Sequence, residues 1–155
     1  RAAQGLYESA LEDYNQALAL KPDYTEALGN RGNAYANMGQ IAKAEADYDR
    51  VIAHDPEHAL AHAGRSEIRF CAGDYARAAL DASTVVGLRP SFHGGYALRA
   101  LANFRRGQHD GALQDYARAI ELEHAWRSPD TAATYLTICP DTALDAVRDI
   151  LQALR

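Results

Sequence analysis

Glycine recurs at Gly5, Gly39, Gly73 and Gly107, a fixed step of 34 residues along the whole first part of the chain. Ala10, Ala44, Ala78 and Ala112 keep the same step, as do Asp13, Asp47, Asp81 and Asp115. Pro22, Pro56 and Pro90 follow it too, with His124 in the next place. Tyr14, Tyr48 and Tyr116 share one position, which Ala82 fills in the remaining copy. A period of this length describes a stacked supersecondary unit. Each unit buries its apolar face against its neighbours, so the chain cannot fold around one closed core.

Each period reads as two helices. In residues 25–58 the first spans Thr25 to Met38, with Leu28, Gly32 and Tyr35 on one face at helical spacing. Asp23 and Glu26 have the spacing of a capping box. Gly39 ends the helix, because the closing residue must be left-handed. The second helix spans Ile41 to Ala53, and its apolar stripe is Ile41, Ala44, Tyr48, Val51 and Ile52. Pro56 prevents continuation. Ala44 is small where the paired helices cross. The pattern recurs at 59–92 and 93–126. In residues 1–24, residues 1–4 read as the end of a first helix, broken at Gly5 before a complete second helix.

Arg31, Arg65 and Arg99 also keep the 34 step, on an inward position of the first helix. A buried unpaired charge is costly. The expectation is a structural ladder pairing these arginines with Asp13, Asp47, Asp81 and Asp115. The rival is a row of cations that grips an acidic ligand.

Residues 127–155 leave the period. Ser128 and Pro129 read as an N-cap and first turn, opening a short helix to about Ile138. Pro140 opens another, with Ala143, Leu144, Val147, Ile150, Leu151 and Leu154 as one stripe. Asp141, Asp145, Arg148, Asp149 and Gln152 face away. A solenoid needs an end cap with a polar outer face, and a two-helix cap at 127–155 suits that role. The other use of such a tail is docking onto another chain.

The net charge of −5 and pI near 5.6 oppose nucleic-acid binding, which needs a basic field. They oppose a polybasic membrane patch for the same reason. No apolar run has the length for membrane insertion. Cys71 and Cys139 form no CxxC pair and read as small, buried or half-buried thiols in a reducing, cytoplasmic compartment. His58 and His62 are spaced i, i+4, yet no third ligand accompanies them, so they read as surface histidines at a repeat junction. No phosphate-binding loop, dinucleotide fingerprint or nucleophile elbow occurs. No metal, cofactor or catalytic activity is expected. The opening at Arg1, without methionine, reads as a fragment or processed product.

The run Gly5, Tyr7, Ala10, Tyr14, Ala17, Leu18, Pro22, with its copies, resembles the tetratricopeptide repeat family over residues 1–126. The stretch 135–141, Tyr-Leu-Thr-Ile-Cys-Pro-Asp, is similar to a tail of some bacterial proteins of that family. The resemblance implies an all-α, right-handed solenoid of antiparallel helix pairs: a half repeat at 1–24, repeats at 25–58, 59–92 and 93–126, then the cap. It also implies a concave groove, lined by the first helices, that receives a peptide or protein segment. The lining positions map to Glu26, Asn30, Asn33, Asn37, Glu67, Phe70, Leu98, Leu101 and Arg105, with Ala36 and Ala97 among their neighbours. Asn30, Asn33 and Asn37 share a helix face, and each offers a donor and an acceptor to a peptide backbone. Arg105 and Arg106 are placed for an acidic group at the far end. The family's carboxylate clamp for chaperone tails falls here on Gly29, Asn33, Gly64, Gly94 and Leu98, of which only Asn33 fits. The expected function is therefore a non-catalytic scaffold. The alternatives are a self-association module, through exposed apolar surface on the first helix, and an accessory array of a larger enzyme.

Overall fold

A computed structural model describes residues 2–155. Among them the regular structure is helical: α1 (Ala2–Leu20), α2 (Thr25–Asn37), α3 (Ile41–His54), α4 (Ala59–Cys71), α5 (Tyr75–Leu88), α6 (His93–Arg105), α7 (His109–Leu122), α8 (Pro129–Ala132) and α9 (Pro140–Ala153). A 3₁₀ turn at His124–Arg127 sits between α7 and α8. The pairs α2/α3, α4/α5 and α6/α7 each pack along their length, and each pair packs on the next. Such quasi-linear stacking is the solenoid arrangement.

The glycine positions explain the sharp turn inside each pair. Gly39, Gly73 and Gly107 have φ of 73°, 79° and 78°. At the first, the Gly39 N–H donates to the Ala36 carbonyl and the Gln40 N–H to the Tyr35 carbonyl, at 3.0 and 2.8 Å. The same two bonds recur after α4 and α6. They satisfy carbonyls a helix end leaves free, and only glycine takes the left-handed turn without a Cβ clash. Gly5 differs. It lies inside a continuous α1, so the expected break there does not occur. The equivalent turns fold a helix back onto its partner, whereas residues 2–4 simply prolong α1.

The starts of the helices also correct the sequence reading. Tyr24, not Asp23, is the N-cap of α2 and makes no capping bond through its side chain. Glu26 instead accepts from the Tyr24 hydroxyl at 3.0 Å. His58 caps α4, its Nδ1 accepting from the Ala61 N–H at 3.1 Å. His62 is buried rather than at the surface, with Nε2 2.8 Å from the Pro56 carbonyl. Among the described residues no group of three or more metal-binding side chains assembles. None of the described helices is long and apolar enough to cross a membrane.

Two apolar clusters form the interior. One centres on α2, α3 and α4, around Leu28, Tyr48, Val51 and Ile68. The other joins α6 and α7 to the C-terminal tail, through Leu101, Tyr116, Trp126, Leu136, Val147 and Ile150. Tyr48 shows how tightly the first is built. A Cβ on Gly32 would stand 3.0 Å from its ring, and a Cβ on Gly64 only 2.6 Å. Both glycines are small because this ring lies against them.

Candidate functional site: the concave face and its tail

The arginines and aspartates form rungs across each helix pair. Arg31 donates to both oxygens of Asp47 at 2.7 Å. Arg65 does the same to Asp81 at 3.0 and 2.7 Å. Arg99 donates to both oxygens of Asp115 at 2.7 and 2.8 Å. Each pair is 16 residues apart, so the period sets the geometry. These carboxylates raise the affinity of all three guanidiniums for their proton. The arginines also reach backwards by the same spacing. Arg31 donates to Asn15 and Arg65 to Asp49, at 2.8 and 2.7 Å. The sequence held that signal, since 15 and 49 are one repeat apart. Asp13 is the exception. It is exposed on α1 and makes no such rung among the described residues.

Asp81 is the most heavily engaged rung. Besides Arg65 it accepts from Arg69 at 2.8 Å, and the His62 ring lies 3.6 Å away. Arg69 in turn donates to Glu45 at 2.8 Å. Neither Arg69 nor Glu45 repeats along the chain, so periodicity gave no hint of them. Arg31, Arg65, Arg69 and Arg99 are thus engaged by carboxylates of the chain itself.

The open part of the groove lies between α2 and α4. Asn30 and Asn33, with Glu26, line a hollow of about 370 Å³ whose other wall carries Leu60 and His58. Leu60 is 54% exposed. The Tyr48 hydroxyl donates to the Asn33 Oδ1 at 2.6 Å. That bond fixes the amide and leaves its NH₂ group for another acceptor. Asn37 is exposed too, but its NH₂ donates to the Asn33 carbonyl at 2.8 Å.

The far part of the groove is filled from within the chain. Phe70 and Leu101, assigned to the lining, are buried in the cluster that includes Leu136, Val147 and Ile150 of the tail. Ala36 and Ala97 are likewise buried. Arg105 is 3.7 Å from Asp149 of α9, so it faces the chain's own carboxylate rather than a free ligand site. Glu67 accepts from the Ile138 N–H at 3.3 Å. Leu98 remains half-exposed beside Tyr135 and Leu136, in a hollow of about 320 Å³.

The tail departs from the expected helix to Ile138. α8 is a single turn, capped by the Ser128 hydroxyl with Pro129 in the first position. Residues 136–139 then run on without helix to α9. The cysteines are not free thiols: Cys71 and Cys139 form a disulfide, with Cα atoms 5.7 Å apart, joining the end of α4 to the start of α9. Spacing gave no signal for it, because the two lie 68 residues apart and only the docked tail brings them together.

Burial lifts the Glu67 carboxyl to about 7, against the pull of the Ile138 and Thr137 N–H groups. A carboxyl whose folded pKa lies above its ordinary 4.5 favours the folded state while protonated. Its contribution is whole below 4.5 and falls as pH rises to about 7, by up to about 3 kcal/mol. In urea titrations across this window, Glu67→Gln is expected to flatten the decline seen in the parent chain. Equal slopes in both proteins would contradict this.

Models of the tetratricopeptide repeat match residues 2–69 and 71–129. The chain belongs to the tetratricopeptide repeat family. Its all-helical fold is shared with solved structures. The first tetratricopeptide domain of human RPAP3 is 26% identical, with a TM-score of 0.64, covering 83% of this chain and 98% of that one. The first such domain of Spaghetti (RPAP3), solved with the HSP90 peptide SRMEEVD, is 26% identical at a TM-score of 0.66, covering 84% and 92%. MamA from Desulfovibrio magneticus RS-1 is 20% identical at 0.73, covering 94% and 84%, and this likeness concerns the fold. A search of curated proteins finds no match to the sequence.

Proposed function

We propose that this chain is a non-catalytic interaction scaffold that holds an extended peptide or protein segment in the open α2–α4 part of its concave face. One observation carries the reading most. Asn33 is oriented by Tyr48 and stands with Asn30 across a hollow from exposed Leu60. That pairs backbone-binding amides with an apolar seat, the combination an extended segment requires. The Spaghetti (RPAP3) domain solved with the HSP90 peptide SRMEEVD supports peptide binding as the mode. That support does not extend to an acidic chaperone tail here, because the clamp positions Gly29, Gly64, Gly94 and Leu98 supply no cation.

The test is affinity capture from the source lysate with the parent chain and with Asn30→Ala, Asn33→Ala and Asn37→Ala combined, both checked by circular dichroism. Losing several hydrogen bonds of about 1 kcal/mol each reduces capture at least about tenfold. Equal capture by both would remove the asparagine face from the account.

Self-association is the second reading, favoured by Leu6. It is 73% exposed beside a hollow of about 300 Å³ between α1 and α2. Light scattering decides it: a mass that rises with concentration, and stops rising in Leu6→Glu, supports a dimer. A concentration-independent monomer excludes one.

A further inference from the structure

The segment 135–139 lies along the concave face as a ligand would. Leu136 is buried, Ile138 is half-buried, and Thr137 between them is exposed. Leu136 and Ile138 thus turn toward the repeats, while Thr137 between them faces solvent. Leu136 packs in the α6–α7 cluster, whereas Ile138 packs against the α2–α4 cluster. The segment therefore bridges two repeats. Its Ile138 N–H donates to Glu67, a side chain on the groove face of α4. The hollow beside it shares Asn33 and Leu60 with the open part of the groove, so the two are continuous. The rest of the cap packs on α6 and α7. On α4 the segment is held by the Thr137 and Ile138 N–H groups at Glu67, by the cluster around Phe70, and covalently by the disulfide from Cys139 to Cys71. Both cysteines are half-exposed, within reach of a small reductant.

We propose that residues 135–139 are a built-in occupant of the groove, latched by the Cys71–Cys139 disulfide. Reduction of the bond frees the α4–α6 part for a segment of the same kind, with branched apolar side chains two residues apart. The proposal rests on the groove reading above and adds the ligand pattern and the control. The chemistry is thiol–disulfide exchange with a dithiol. One thiolate attacks a sulfur of the bond and forms a mixed disulfide, releasing the other cysteine. The second thiol of the reagent then displaces the remaining cysteine. Two electrons and two protons pass to Cys71 and Cys139, and the reagent leaves as its own disulfide. In a reducing compartment such bonds are usually transient and redox-sensing.

The probe is a labelled peptide, Ala-Thr-Tyr-Leu-Thr-Ile-Ser, which copies residues 133–139 with serine for the cysteine. It is titrated into the oxidised chain, the chain in dithiothreitol, and a Cys71→Ser, Cys139→Ser variant. Apparent affinity scales with the open fraction of the groove. Binding at least about tenfold tighter is expected for the reduced chain and the serine variant than for the oxidised chain. The serine variant does not respond to dithiothreitol. Hydrogen exchange supplies a second measure: the Thr137 and Ile138 amides exchange at least about tenfold faster after reduction, while α2–α7 keep their protection. Equal peptide binding in all three states, no binding in any, or unchanged exchange at Thr137 and Ile138 overturns the proposal. Partner capture that still depends on Asn30, Asn33 and Asn37 would then leave the scaffold reading standing.

Discussion

Asp81→Leu is expected to destabilise the chain by about 3–5 kcal/mol, the scale for removing one partner of a buried ion pair. The aspartate is buried and receives Arg65 twice and Arg69 once. Its loss leaves two guanidiniums facing an apolar side chain, with only Asp49 and Glu45 still holding them. Arg65→Leu is expected to cost less, because Asp81 retains Arg69. The double variant should lose clearly less than the sum of the two, by at least about 1 kcal/mol, since the two side chains share one set of bonds. Urea titrations of the three variants check this. Additive losses would mean that the rung contributes nothing as a pair. Asp115→Leu supplies a comparison. Among the described arginines Asp115 accepts only from Arg99, so its removal strands one cation and has the smaller effect.

The second large effect belongs to the ring of Tyr48. Gly64→Leu drives a side chain into space where even a Cβ would sit 2.6 Å from that ring, and overpacking of this kind costs about 1–3 kcal/mol or more. Tyr48→Ala alone opens a cavity and is expected to cost about 3–5 kcal/mol. Combined, the two changes should largely compensate, because the leucine fills the space the ring leaves. The chain contains this exchange already. One repeat later the tyrosine position is Ala82, and the position matching Gly64 is Leu98. Denaturation midpoints of the two single variants and the double decide the matter. A double variant as unstable as the sum would show that Ala82 and Leu98 are unrelated choices. Tyr48→Ala also removes the bond that orients Asn33, so ligand binding should fall with it.

What was legible in the sequence follows from what repeats. The 34-residue step placed the helix pairs, the glycine turns and the inward tyrosines, because each copy solves the same packing problem. The 16-residue rungs were legible for the same reason, and the backward partners Asn15 and Asp49 obeyed the same arithmetic. Features that occur once carried no such signal. Arg69 and Glu45 have no counterparts in other copies. Phe70 and Leu101 sit on helices that line the groove, and their burial comes from the tail cluster they join. The disulfide depends on that same docking. Gly5 matched the period but not its role, since a glycine turn forms only where a helix folds back on a partner.

Site-specific photocrosslinking tests the central claim most directly. A crosslinking residue is placed at Asn30 or Leu60 on the open concave face, and at Thr84 or Arg118 on exposed surfaces of α5 and α7. The account predicts that the captured partner attaches from Asn30 and Leu60 and not from Thr84 or Arg118. Attachment from Thr84 and Arg118, with none from the concave positions, would contradict it and place recognition on the opposite side of the array.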